Sequence, residues 1–251
     1  MILRTELQKY CSKLHFNLGQ TELDYLQHLF LMFLSKTTVT NLIFKGGTAL
    51  QKAYNLPRFS IDLDFTATDK ISSLELIQQL GKEIEAFGYP TQVKEIKTLG
   101  ETFVLQISGP LKGASSMSIA RLKIEISQRE TLVLKPVQKE IVPLYSDLKP
   151  YSIRVMDAKE IVAEKVRAIM TRNKARDVYD LWFLITSGTK VDKELINKKL
   201  TYYNQTFNAK EFEEALQRKE PIWNTDLSSL LPEVPSFKEV VKEIKTTLLK
   251  S

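Results

Sequence analysis

The short apolar run Leu42-Ile43-Phe44 stops at Lys45-Gly46-Gly47-Thr48, and the next extended run carries Asp62-Leu63-Asp64. No other feature constrains the chain as strongly. The apolar run reads as a strand, and Thr48 to Tyr54 as a short helix closed by Asn55 and Pro57. Two glycines between strand and helix let the backbone approach a bound group closely. The helix start then offers free N–H groups to an anion such as a phosphate, and Thr48 can add a hydroxyl. Ser60 to Phe65 reads as the next strand. On it, Asp62 and Asp64 stand two apart and point to one face. Neighbouring carboxylates repel unless a cation lies between them. An oxygen-only set suits Mg²⁺, or Mn²⁺, bound together with substrate phosphates.

Residues 117 to 128 alternate strictly, with Leu122, Ile124 and Ile126 on one face and Arg121, Lys123 and Glu125 on the other. If this strand lies beside the aspartate strand, Glu125 completes an acidic triad. Two-metal nucleotidyl transfer needs such a group for the metal that activates the attacking oxygen. Asp69 and Glu101 are rivals on less regular alternation. Composition narrows the chemistry further. Cys11 is the one cysteine, so an internal disulfide and a cysteine-rich zinc site are excluded. His15 and His28 are the two histidines. They read as ordinary helix residues, and Cys11 as inert, which weakens any histidine-based hydrolytic scheme. Chemistry is left to carboxylates, lysines, backbone amides and a hard metal ion. The 36 Lys and Arg against 30 Asp and Glu leave +6 over 251 residues, a mild preference for a polyanionic partner.

The rest of the chain supports an α+β reading. Residues 1 to 35 suggest two helices split near Gly19-Gln20-Thr21, with Thr21 as N-cap. Ser72 to Phe87 suggests an amphipathic helix, and 91 to 108 a strand pair turning at Gly100. Pro136, Pro143 and Pro150 mark 136 to 152 as a crossing between subdomains. From Asp157 the pattern is helical almost to Leu249, opening with a capping box of Asp157 and Glu160. The expected organisation is an α/β domain over 1–150 and a helical domain over 151–251. No apolar stretch reaches the roughly 20 residues of a membrane span, and no signal peptide is legible, so a cytoplasmic protein is expected.

A second constellation lies in the helical half. On a helical wheel Ile161, Lys165, Ala168 and Arg172 line one stripe beside the core face, so Lys165 sits at an apolar border suited to phosphate charge. Asp177 and Asp180 fall on nearly one face of the next helix, and Arg176 can pair with Asp180. Trp182, Phe183 and Trp223 read as core. Lys36, Lys52 and Arg58 could flank a nucleic-acid path, Arg58 being the best placed.

Lys45-Gly46-Gly47-Thr48-Ala49-Leu50, followed by Arg58-Phe59-Ser60-Ile61-Asp62-Leu63-Asp64-Phe65, resembles the signature of the AbiEii/AbiGii-type toxin nucleotidyltransferases. Glu164-Lys165-Val166-Arg167-Ala168 and Arg176-Asp177-Val178-Tyr179-Asp180-Leu181 resemble the family's later motifs. The resemblance runs from about residue 40 to 187. It implies a DNA polymerase β-like mixed sheet with flanking helices and a C-terminal helical domain. It implies that Gly46, Gly47 and Thr48 hold triphosphate, that Asp62 and Asp64 bind Mg²⁺, and that Lys165 and Asp177 are required for activity. NTP, an RNA acceptor such as tRNA, and a cognate antitoxin are the implied partners. Lys45, Arg58, Arg172 and Arg176 are further candidates for nucleotide contact, and Glu125 remains a residue-based candidate for metal. A protein-modifying, AMP-adding enzyme and a non-catalytic nucleotide- or RNA-binding member of the fold are the alternatives.

Overall fold

The computed structural model describes the chain except residues 98–99, 114–117, 129–130 and 250–251. It divides into two compact units. The first comprises 1–55, 59–132 and 136–155; the second comprises 56–58, 133–135 and 156–251. The strand Tyr151–Val155 therefore belongs with the first unit, and the tripeptide ending in Arg58 with the second.

The first unit is built on a mixed sheet. Its helices are α1 (Arg4–Leu14), α2 (Leu18–Leu34), α3 (Gly46–Tyr54) and α4 (Ser73–Ala86). Its strands are β1 (Leu42–Lys45), β2 (Leu63–Ala67), β3 (Thr91–Lys97), β4 (Glu101–Ile107), β5 (Ala120–Ser127), β6 (Val137–Ile141) and β7 (Tyr151–Val155). The order across the sheet is β3-β4-β5-β2-β1-β7-β6. Strand β2 runs antiparallel to β1 and parallel to β5. The alternation of β5 is realised: Leu122, Ile124 and Ile126 enter the core with Phe44, Phe65 and Phe103. Helix α2 is buried along most of its length, and its last turns, Leu29 to Leu34, are wholly apolar.

Several expectations are corrected here. The first two helices part at Asn17, not near Gly19-Gln20-Thr21. The Asn17 side chain accepts from the Gln20 N–H while Gln20 reaches back to the Asn17 N–H, and Thr21 is already helical. The segment 136–152 is more than a crossing, because β6 and the start of β7 pair within it. Strand β2 begins at Leu63 rather than Ser60, and α3 begins at Gly46 rather than Thr48. The expected start of the β5 strand at residue 117 lies outside the described residues.

The second unit is helical: α5 (Ala158–Thr171), α6 (Ala175–Thr186), α7 (Lys193–Thr201), α8 (Ala209–Gln217), α9 (Trp223–Leu227) and α10 (Phe237–Leu249). Asp157 caps α5 as expected, accepting from the Lys159 N–H. Glu160 does not close a capping box. Its buried carboxylate accepts from the N–H groups of Val133 and Leu134 and pairs with Lys199, so it fastens the 133–135 tripeptide into this unit. Trp223 is buried, whereas Trp182 and Phe183 are half-buried and the Trp182 indole donates to Glu243. Among the described residues no helix is long and apolar enough to cross a membrane.

Candidate active site

In the first unit, β1 ends at Lys45 and the chain enters α3 directly through Gly46. Lys45 is the N-cap and its side chain does not close the helix start. Gly46 has φ +74°, and a Cβ there would lie 2.3 Å from Asp64 Oδ2. Glycine is thus needed twice over at Gly46: for its left-handed backbone, and because the Asp64 carboxylate lies against its Cα. Register explains the approach, since Lys45 is the cross-strand partner of Asp64. Asp62 and Asp64 are half-buried. Asp62 lies just ahead of β2, and the Thr48 hydroxyl donates to its backbone carbonyl. Thr48 is fully buried, so its hydroxyl serves the aspartate segment and not a phosphate, a correction to the expectation for that residue.

Glu125 is the parallel-strand partner of Asp64, so β5 does lie beside the aspartate strand. Its carboxylate forms an ion pair with Lys123 on the same face, both side chains being substantially exposed. The adjacent Glu125 raises the Lys123 ammonium, with Asp62 and Asp64 adding to the effect against a modest burial penalty. Among the described residues no three His, Cys, Asp or Glu side chains are gathered closely enough to hold one ion. The Glu125 carboxylate is thus engaged by Lys123, and the described residues do not gather it with Asp62 and Asp64 into one group. Of the rivals, Glu101 accepts from Ser73 and Gln128, and Asp69 is exposed.

The second unit gathers the other motif residues. Arg58 Nε and Nη2 meet the two oxygens of Asp180 at 2.6 and 2.7 Å. Lys165 Nζ lies 2.6 Å from Asp180 Oδ2 and 2.9 Å from Asp177 Oδ1. Arg172 grips Asp177 through Nε and Nη2 at 2.7 and 2.8 Å. Burial works to raise both aspartates, but Arg58 and Lys165 outweigh it at Asp180, and Lys165 and Arg172 at Asp177, holding both below the ordinary carboxylate range. Two expectations change. Arg58 is 2 % exposed and bidentate on Asp180, so it organises this unit and does not line a nucleic-acid path or hold nucleotide. Asp180 is taken by Arg58 and Lys165, not by Arg176, which is half-buried. Lys165 is buried as its stripe position suggested, and Arg172 keeps half its side chain in solvent.

Sequence reasoning missed a cluster behind α3. Lys52, expected near a nucleic-acid path, is buried and pairs with Asp24 at 2.6 Å. Asp24 also accepts from Tyr145 and Gln51. His28 lies beside Asp24 and bonds Tyr151, and burial, with Lys52 adding, pushes it down to about 3. A signal existed, since Asp24 and His28 are one turn apart within an apolar helix, where charge needs a partner.

The family model for the nucleotidyl transferase AbiEii toxin of type IV toxin–antitoxin systems matches residues 34–243. The chain belongs to that family. As an AbiEii-type toxin it is a nucleotidyltransferase, and the resemblance of its motifs is confirmed over most of its length. Solved structures agree in fold. MenT4, a nucleotidyltransferase toxin from Mycobacterium tuberculosis H37Rv, matches with a TM-score of 0.73 at 21% identity, over 98% of this chain and 88% of its own. JHP933 from Helicobacter pylori matches with a TM-score of 0.60 at 21% identity, over 92% of this chain and 91% of its own. No curated protein matches the sequence.

Proposed function

We propose that this AbiEii-type nucleotidyltransferase moves a nucleotide from NTP to an RNA acceptor, tRNA being the first candidate, with Mg²⁺ held by Asp62 and Asp64. The observation carrying this reading is the Asp64 carboxylate laid against Gly46 at the start of α3. It puts an anion-accepting helix start beside two half-buried carboxylates. Such a pair fits Mg²⁺, a hard cation that takes one or two carboxylates and leaves its other positions to water and phosphate. Bound there, Mg²⁺ would neutralise phosphate charge and favour the ionised form of an attacking hydroxyl.

The chain's own residues do the rest. The uncapped N–H groups at Gly46 and Gly47 receive phosphate oxygens. An acceptor hydroxyl attacks the α-phosphorus in line, pyrophosphate leaves, and no covalent enzyme intermediate is needed; the protein's work is positioning. Lys165 and Asp177 carry over from the family motif as residues required for activity, with Arg172 and Arg176 as nearby cations. The +6 charge fits a polyanionic acceptor. A cognate antitoxin follows from the family, and residence in the cytoplasm, where NTP and tRNA are found, fits the proposed substrates. Incubation with each labelled NTP, total tRNA and Mg²⁺ tests the reading: label should enter RNA with the wild type and not with Asp62→Ala. Label entering protein instead would favour the AMP-adding alternative, and equal labelling by both proteins would sink the metal assignment.

A further inference from the structure

The β2 ladder begins at Leu63, and residues 60–62 lie just ahead of it. Apolar burial does not fix this segment, since Ile61 is 41% exposed. Yet four of its backbone polar groups are satisfied, each by a side chain from α2 or α3. Gln27, fully buried on α2, donates through Nε2 to the Ser60 carbonyl at 2.9 Å and the Ile61 carbonyl at 2.8 Å. Gln51 on α3 accepts from the Ser60 N–H at 3.0 Å. Thr48 donates to the Asp62 carbonyl. Gln51 is itself oriented by Asp24, at 3.0 Å, and Asp24 is pinned by Lys52.

The orientation of Gln27 has one solution. Flipping the amide would turn its oxygen onto two carbonyl oxygens. In the observed orientation both N–H hydrogens are used, and among the described residues the buried Oε1 has no hydrogen-bond partner.

We infer that Gln27 is a positioning residue: with Gln51 and Thr48 it fixes the backbone ahead of β2 that aims the Asp62 carboxylate beside Asp64. The inference rests on the reading of Asp62 and Asp64 as the metal pair. Partners that orient metal ligands without touching metal commonly change metal affinity by about 10- to 100-fold when removed.

The test uses full-length protein, Mn²⁺ binding followed by electron paramagnetic resonance without nucleotide, and amide hydrogen exchange. Gln27→Met keeps the volume and removes both donors. It should speed exchange across 60–63, weaken Mn²⁺ binding about tenfold, and lower kcat while leaving the KM for NTP nearly unchanged. Ile84→Ala in the core face of α4 serves as a comparably destabilised control, and its Mn²⁺ affinity should stay at the wild-type value. Should Gln27→Met fail to fold, Gln51→Leu, whose site is half-buried, should shift exchange and affinity in the same direction. A folded Gln27→Met with wild-type exchange or wild-type Mn²⁺ affinity overturns the inference, as does an equal loss in Ile84→Ala. Wild-type Mn²⁺ binding by Asp62→Asn overturns the metal reading, and the inference with it.

Discussion

The acidic pair of the first unit and the ion network of the second use the same side chains in different states of commitment. Asp62 and Asp64 are half-buried, one of them lying against an uncapped helix start. Asp177 and Asp180 are 0% exposed, and each accepts from two cations. A carboxylate saturated in a dry interior has little capacity left for a ligand. One that is half-buried, beside a helix start that its N-cap side chain does not close, can exchange its partners. Motif membership therefore does not tell a reacting group from an organising one; burial and saturation do.

The largest expected effect probes the first region. Asp64→Asn should lower nucleotide transfer by about 1,000-fold or more, close to 4 kcal/mol of barrier, with thermal stability little changed. A similar loss of melting temperature in Asp64→Asn and Asp180→Asn would erase the distinction between the two regions. Asp180→Asn should instead destabilise by roughly 3–5 kcal/mol, because it leaves the buried Arg58 guanidinium without its counter-charge; denaturant unfolding measures this.

Acid separates the regions by a smaller amount. Folded His28, held at about 3, stays neutral while the unfolded chain takes up a proton near pH 6.5. Its contribution is complete above pH 6.5 and falls by about 1.4 kcal/mol per pH unit below it, reaching roughly 2 kcal/mol at pH 5. Asp177 and Asp180, held below 3.8, keep theirs until the pH falls under that value. Between pH 6.5 and 4 hydrogen exchange should thus rise first around α2, and His28→Gln should flatten the slope. The smallest effect is expected at Arg172→Ala, at most about 1 kcal/mol of stability, since half of the Arg172 side chain lies in screening solvent and the buried Asp177 keeps Lys165. A larger loss would place Arg172 with the saturated core of the network.

Periodicity in the sequence was enough for the elements that bury one face. Strand β5 and helices α4 and α5 stand close to where alternation and the 3.6-residue repeat put them. The glycine pair and the two aspartates also announced themselves, because few other jobs require those residues at that spacing. Illegible were facts that depend on partners distant in sequence. Arg58 looked like a surface cation, and its partner Asp180 comes 122 positions later. Lys52 looked solvated until Asp24 was seen behind it. The β2 boundary was misplaced because Ser60 and Ile61 have strand-like residue types but bond to side chains of α2 and α3.

The tripeptide 56–58 belongs to a unit whose other residues come mostly after 155. During synthesis Arg58 is made more than a hundred codons ahead of Asp180. The helical unit cannot close around its ions until Asp180 has been made. A chain released before Asp180 would carry Arg58 as a cation without that counter-charge.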